Sequence, residues 1–174
     1  MSEQNSLPQL IMFKESLEDL MPVNLPEGYS VRHFREGDDK HWETIIGASF
    51  HYDCNFQKEI ASNDKFKPEK VWFVCDGNRP IATATAWYSA HWGEAVGYLH
   101  MVGMLPEYSG KSLGFKASLA ALHEMKRVGR KSAVLNTDDF RLPAIKGYLR
   151  LGFKPLFTHE SFYERWENIM EKLG

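Results

Sequence analysis

The chain has 174 residues, is 43% hydrophobic and carries a formal net charge of -2 at neutral pH. That length supports one full core, and the near-neutral charge argues against general nucleic-acid binding, which needs a basic surface. No apolar run approaches the length needed to cross a bilayer, so no membrane partner is expected.

The opening residues, MSEQNSLPQL, lack the basic start and apolar stretch of a signal peptide. Two cysteines, Cys54 and Cys75, give neither a disulfide framework nor metal-ligand spacing. Reduced thiols and a cytoplasmic location are the expectation, with no metal site. Pro8, Pro22 and Pro26 make residues 1–28 read as an irregular arm, to which Leu7 to Phe13 adds at most a short strand. A single domain is expected over residues 29–174.

That domain opens with YSVRHF, which alternates as a strand from Tyr29. Asp38 or Asp39 can cap a helix to about Ser49, with Trp42, Ile45 and Ile46 at helical spacing. Residues 51–70 suggest only a short helix near 56–62 and a loop. Val71 to Cys75 reads as a buried strand, and Asp76-Gly77 signals a hairpin that Asn78-Arg79-Pro80 lengthens. Ile81 to Tyr88 returns. A turn near His91-Trp92-Gly93 leads into a strand over Ala95 to Met104, which makes an antiparallel meander.

A Ser/Gly/Lys loop follows and opens a helix from about Ser112 to Val128, with Gly129 as its stop. Ala133 to Asn136 is a short strand, and Asp138 or Asp139 caps a helix ending at Leu151-Gly152. Phe153 to Thr158 and Ser161 to Leu173 give a last strand and helix. This order predicts an α/β protein with a mixed sheet, not a doubly wound one.

Charge is unevenly spread, with net -6 over residues 1–105, +6 over 106–154 and -2 over 155–174. The basic excess coincides with the loop–helix segment, and free N–H groups at a helix start bind anions. Gly110-Lys111-Ser112 looks like the end of a P-loop, but Leu105 stands where that motif needs its first glycine. The acidic front half favours a cationic acceptor, and Trp42, Phe50, Tyr52, Phe56, Trp72, Trp87 and Trp92 there supply both core and pocket walls.

The run YLHMVGMLPEYSG, the loop SGKSLG and the segment NTDDFRLPAIKGYLRLGF together resemble the GCN5-related N-acetyltransferase (GNAT) superfamily. The family's loop of Arg or Gln, any, any, Gly, any, Gly or Ala falls on Ser109, Gly110, Lys111, Ser112, Leu113 and Gly114. Serine replaces both the first residue and the first glycine. The frame of Ala144, Tyr148 and Leu151-Gly152-Phe153 is the stronger match. The resemblance implies a mostly antiparallel sheet flanked by helices and splayed at the cofactor-binding strand, with acetyl-CoA as donor.

It also implies roles. The loop's backbone N–H groups would bind pyrophosphate, with Lys111 and Lys116 balancing charge. Val102, Gly103 and Met104 would pair with the pantetheine arm. Gly103 suits a bulge or a close backbone approach, and one N–H there would face the thioester carbonyl. Tyr148 falls at the family's general acid. His100, sharing a strand face with Tyr98, is the leading base candidate, and Glu94 is the second, acting through water. Asn136 would reach the pantetheine amides or cap its strand. Arg141 stands in place of the family's asparagine and could meet phosphate. The expected activity is N-acetyl transfer by direct attack of a small-molecule or peptide amine. The alternative is a non-catalytic CoA-binding or interaction module, and an exposed edge strand would allow a homodimer.

Overall fold

A computed structural model describes residues 6–174 of the chain. Its strands are β1 (Leu10–Lys14), β2 (Tyr29–His33), β3 (Val71–Asp76), β4 (Arg79–Tyr88), β5 (Val96–Met104), β6 (Ser132–Thr137) and β7 (Lys154–Leu156). Its α-helices are α1 (Asp39–Phe50), α2 (Leu113–Arg127), α3 (Leu142–Arg150) and α4 (Phe162–Leu173). The ambiguous stretch before β3 holds a π-helical turn at Gln57–Ala61 and a 3₁₀ turn at Pro68–Lys70.

The strands form one sheet in the order β2-β3-β4-β5-β6-β1-β7. β2 to β5 make the expected antiparallel meander. β5 and β6 run parallel, and β1 is antiparallel to both its neighbours. The sheet is therefore mixed and mostly antiparallel, as the sequence predicts.

The arm expected over residues 1–28 does not stand apart from the domain. β1 lies inside the sheet between β6 and β7, and Leu10, Met12 and Leu17 are fully buried. Alternating Leu10 and Met12 supply a core face that the surrounding prolines mask in sequence. The first five residues of the expected arm lie outside the described residues.

Three local expectations also change. The β3–β4 turn is tight, because Arg79 and Pro80 already pair with Asp76 and Cys75 within the ladder. The Asp38 carboxylate makes no cap bond to α1. It accepts instead from Arg32 at 2.6 and 3.1 Å and from the Arg35 N–H at 2.7 Å. α3 begins at Leu142, not near Asp139, because Pro143 needs no N–H partner in a first helical turn.

A bulge in β5 positions the site. Thr83 and Thr85, two apart on β4, oppose Gly103 and His100, three apart on β5. The extra residue lies at Met101–Val102, and Met101 takes a left-handed φ of 50°. The consequence is visible at two glycines. A Cβ on Gly97 would lie 2.4 Å from Met125 Sδ of α2, whereas one on Gly103 would lie 2.8 Å from Ser49 Oγ of α1. Six residues apart on a regular strand, both would face the same helix. One inserted residue turns Gly103 over to α1, so α1 and α2 cover opposite faces. The Met104 N–H then donates to Ser49 Oγ at 2.9 Å.

Gly103→Val is therefore expected to destabilise the fold by about 1–3 kcal/mol through overpacking against Ile45 and Ile46. Thermal unfolding checks this, with a drop of about 2–4 °C per kcal/mol.

Candidate active site

β5 and β6 pair only where Val96, Gly97 and Tyr98 meet Ser132, Ala133 and Val134. Beyond Tyr98 the two strands part, while β6 keeps β1 on its other side as far as Thr137. The gap opens a cleft of about 130 Å³ walled by both strands, by the end of α1 and by α3. Leu99, His100, Met101 and Val102 line it from β5, and Asn136 and Thr137 from β6. Phe50, Arg141, Ala144 and Tyr148 close it.

Tyr148 is 9% exposed and packs edge-on against Phe153 at 6.1 Å. Burial pushes its phenol up to about 12, which outweighs the opposing pull of Arg141. The group therefore stays protonated at neutral pH. α3 joins two features, because Arg150 stacks on the Phe115 ring in the first turn of α2 while Tyr148 faces the cleft.

The N-terminus of α2 has no side-chain cap. The first-turn N–H groups of Leu113, Gly114 and Phe115 have no intrahelical acceptor, since the first helical bond runs from Lys116 N–H to the Ser112 carbonyl. The space in front of Gly114 is open, with no protein atom within 4 Å of a Cβ built there. Ser112 adopts a left-handed φ of 57°, the conformation that a glycine at this place would adopt without strain. Ser109 turns its hydroxyl back to the Pro106 carbonyl at 2.7 Å, while Gly110 and Lys111 sit exposed at the loop's tip. The Lys111 ammonium lies 3.3 Å from the Tyr29 hydroxyl, and Arg150 stacks on Phe115 at 4.5 Å.

The structure brings His100, Val102, Asn136, Arg141 and Tyr148 to one cleft and leaves other candidates out of it. Gly103 and Met104 do not line the cleft, because the bulge lies two residues earlier than Gly103 and the Met104 N–H is taken by Ser49. Glu94 is exposed before β5 begins, with its carbonyl accepting from Arg130 in the turn after α2, too far along the strand to serve as a base. Arg141 stands at the start of α3, whereas Arg150 at the other end of that helix meets α2's first turn. A phosphate contact for Arg141 does not fit this arrangement. Its guanidinium lies 4.0 Å over Phe50 and donates to Asp138 at 3.2 Å.

Two contributors had little sequence signal. Gln9 lines the cleft and donates to Asp138 at 3.2 Å, a position that depends on β1 entering the sheet. Met101 carries the bulge without the glycine that usually marks one.

His100 stacks between Trp87 and Tyr98, at 6.2 and 5.1 Å. Burial lowers its pKa from 6.5 to about 4. In the unfolded chain it takes up a proton near pH 6.5, in the folded protein only near 4. Stability present above pH 6.5 is thus lost as pH falls through 4, by about 3 kcal/mol. His100→Phe is expected to remove that component, read as a smaller difference in unfolding midpoint between pH 7 and 4.5 than the parent chain gives.

The model of the acetyltransferase (GNAT) family matches residues 29–153. The chain is 31% identical over 144 residues to a mycothiol acetyltransferase from Kytococcus sedentarius, covering 78% of this chain and 49% of that protein. It is 30% identical over 149 residues to one from Streptomyces griseus, covering 82% and 47%. The chain thus spans about half the length of the curated relatives it matches. In fold it resembles a GCN5-related N-acetyltransferase from Kribbella flavida, with a TM-score of 0.63, 21% identity and coverage of 86% and 55%. It also resembles the ribosomal-protein-S18-alanine N-acetyltransferase from Escherichia coli, with a TM-score of 0.61, 15% identity and coverage of 74% and 79%.

Proposed function

The chain belongs to the GNAT acetyltransferase family, and from that premise we propose that it moves an acetyl group from acetyl-CoA to a primary amine by direct attack. One observation carries the reading. The parted β5–β6 edge and the protonated phenol of Tyr148 share one cleft, and α3, which carries Tyr148, reaches the uncapped start of α2 through Arg150 on Phe115. The relatives' own names, mycothiol acetyltransferases, support acetyl transfer to a small molecule.

The residues present fit the cofactor. The N–H groups of Leu113, Gly114 and Phe115 would hold its pyrophosphate, helped by the positive end of the helix dipole. The open space at Gly114 admits it, and Lys111, Lys116 and Arg150 offset its charge. Leu99 to Val102 and Asn136 would line its pantetheine arm. When bound, acetyl-CoA supplies an activated thioester.

The chain's own groups do the rest. Tyr148 keeps its proton at neutral pH and can donate it to a departing thiolate. His100, neutral at pH 7, offers the entering amine a hydrogen-bond acceptor. With a pKa near 4 it is a weak store for a proton from an ammonium of pKa near ~10.4. Cys54 and Cys75 do not line the cleft, which favours direct transfer over an acyl-enzyme. Their burial without pairing supports a cytoplasmic setting, and no described helix is long and apolar enough to cross a membrane.

The test is thiol release from acetyl-CoA across a panel of amines. Release that depends on one class of amine is expected. Acetyl-CoA binding without release for any amine would leave a non-catalytic binding module.

A further inference from the structure

We propose a second anion site, built by Lys65, Lys70 and Arg130 around Tyr88, that takes a phosphate-class oxyanion. The Lys65 and Lys70 ammonium groups lie 4.8 and 4.4 Å from the Tyr88 ring centroid, and the Arg130 guanidinium carbon 4.6 Å. Three cations around one ring stand within about 10 Å of one another, a separation at which like charges repel. Among the described residues none of the three has a carboxylate partner. Glu124, the nearest buried acid on α2, is held by Arg127 at 2.6 and 2.8 Å. Lys67 adds a further cation that Lys70 senses.

These are not free surface lysines. Lys65, Lys70, Arg130 and Tyr88 are half-buried, and burial lowers the Lys70 ammonium's proton affinity, with Arg130, Lys67 and Lys65 adding to the effect. Backbone carbonyls anchor two of the cations. Lys65 donates to the Tyr88 carbonyl at 3.0 Å, and Arg130 donates to the Glu94 carbonyl. The Lys70 ammonium makes no hydrogen bond among the described residues and rests on the faces of Tyr88 and Trp87. A fold that fixes three uncompensated charges at one point gives up stability there unless an anion joins them. A small oxyanion with several acceptor oxygens suits donors arriving from three directions.

The site is separate from the helix-start anion site. β4 begins at Arg79, which pairs with Glu107 beside the α2 loop, and ends at Tyr88. Nine strand steps separate them by about 30 Å. The proposal therefore stands apart from the acetyl-CoA reading.

Thermal unfolding of the full chain in inorganic phosphate, against chloride at matched ionic strength, tests it. Both arms contain millimolar acetyl-CoA, so that the helix-start site does not report. Phosphate is expected to raise the midpoint of the parent chain. Lys70→Met should be more stable than the parent in chloride, because a repelled charge is gone, and should lose most of the phosphate-dependent rise. Arg130→Gln should lose it as well, and Lys172→Met, on α4, should keep it. A parent chain without a phosphate-dependent rise, or Lys70→Met and Arg130→Gln variants that retain it in full, overturns the site. The parent chain's midpoint with and without acetyl-CoA in chloride is read alongside, so a failure of acetyl-CoA to bind is seen separately from a failure of this site.

Discussion

Tyr148→Phe is expected to lower kcat by about 10²-fold or more while leaving acetyl-CoA affinity within about twofold. The phenol stands in the cleft beside Arg141 and Tyr98, with its pKa raised to about 12 by burial. It keeps that proton at neutral pH and stands where it can pass it to the thiolate as the C–S bond breaks. The ring carries the packing against Phe153, so phenylalanine keeps the wall and loses only the proton. Steady-state kinetics combined with a separate binding measurement check both halves. An unchanged kcat would remove Tyr148 from the acid role, and a matched loss of affinity would make it a binding residue instead.

Gly114→Asp should produce effects of opposite sign on stability and binding. Glycine inside a helix costs about 0.5–1 kcal/mol relative to a residue with a side chain, and a carboxylate in the first turn is favoured by the dipole. No protein atom lies near the new Cβ. The apo protein is therefore expected to unfold at a higher temperature than the parent. The same carboxylate stands where a pyrophosphate would meet the N–H groups of α2, and acetyl-CoA affinity is expected to fall at least about tenfold, or about 1.4 kcal/mol. If the variant is stabilised and keeps full affinity, the phosphate subsite lies elsewhere. Calorimetric binding alongside thermal unfolding separates the two effects.

What was legible in the sequence follows from how local each signal is. The meander, α2 and the helix carrying Tyr148 rest on alternation, helical spacing and glycine stops, all short-range patterns. The frame from Ala144 to Phe153 located Tyr148 because it lies within one helix and its exit. Gly103 suits a bulge or a close backbone approach in sequence, and in the structure the close approach is to α1. Its glycine answers to α1 across the sheet, a contact no local pattern reports. The bulge itself sits at Met101, whose positive φ is imposed by the β4 pairings on either side of it and not by its own preference.

Charge at a distance was the hardest to read. The acidic front half suggested a cationic acceptor, but Lys65 and Lys70 from that half join Arg130 in a basic cluster. Glu94, the second base candidate by its place near the strand start, lies before β5 begins and away from the cleft. Gln9 reaches the cleft only because β1 crosses to pair with β6, and that pairing is set by the tertiary fold.

Thermal unfolding of the parent chain with and without acetyl-CoA tests the central claim most directly. At a hundredfold excess over its Kd, acetyl-CoA is expected to add about 2.7 kcal/mol, and Gly114→Asp should shift the same curve to higher ligand concentration. No change in midpoint at millimolar acetyl-CoA would contradict the account.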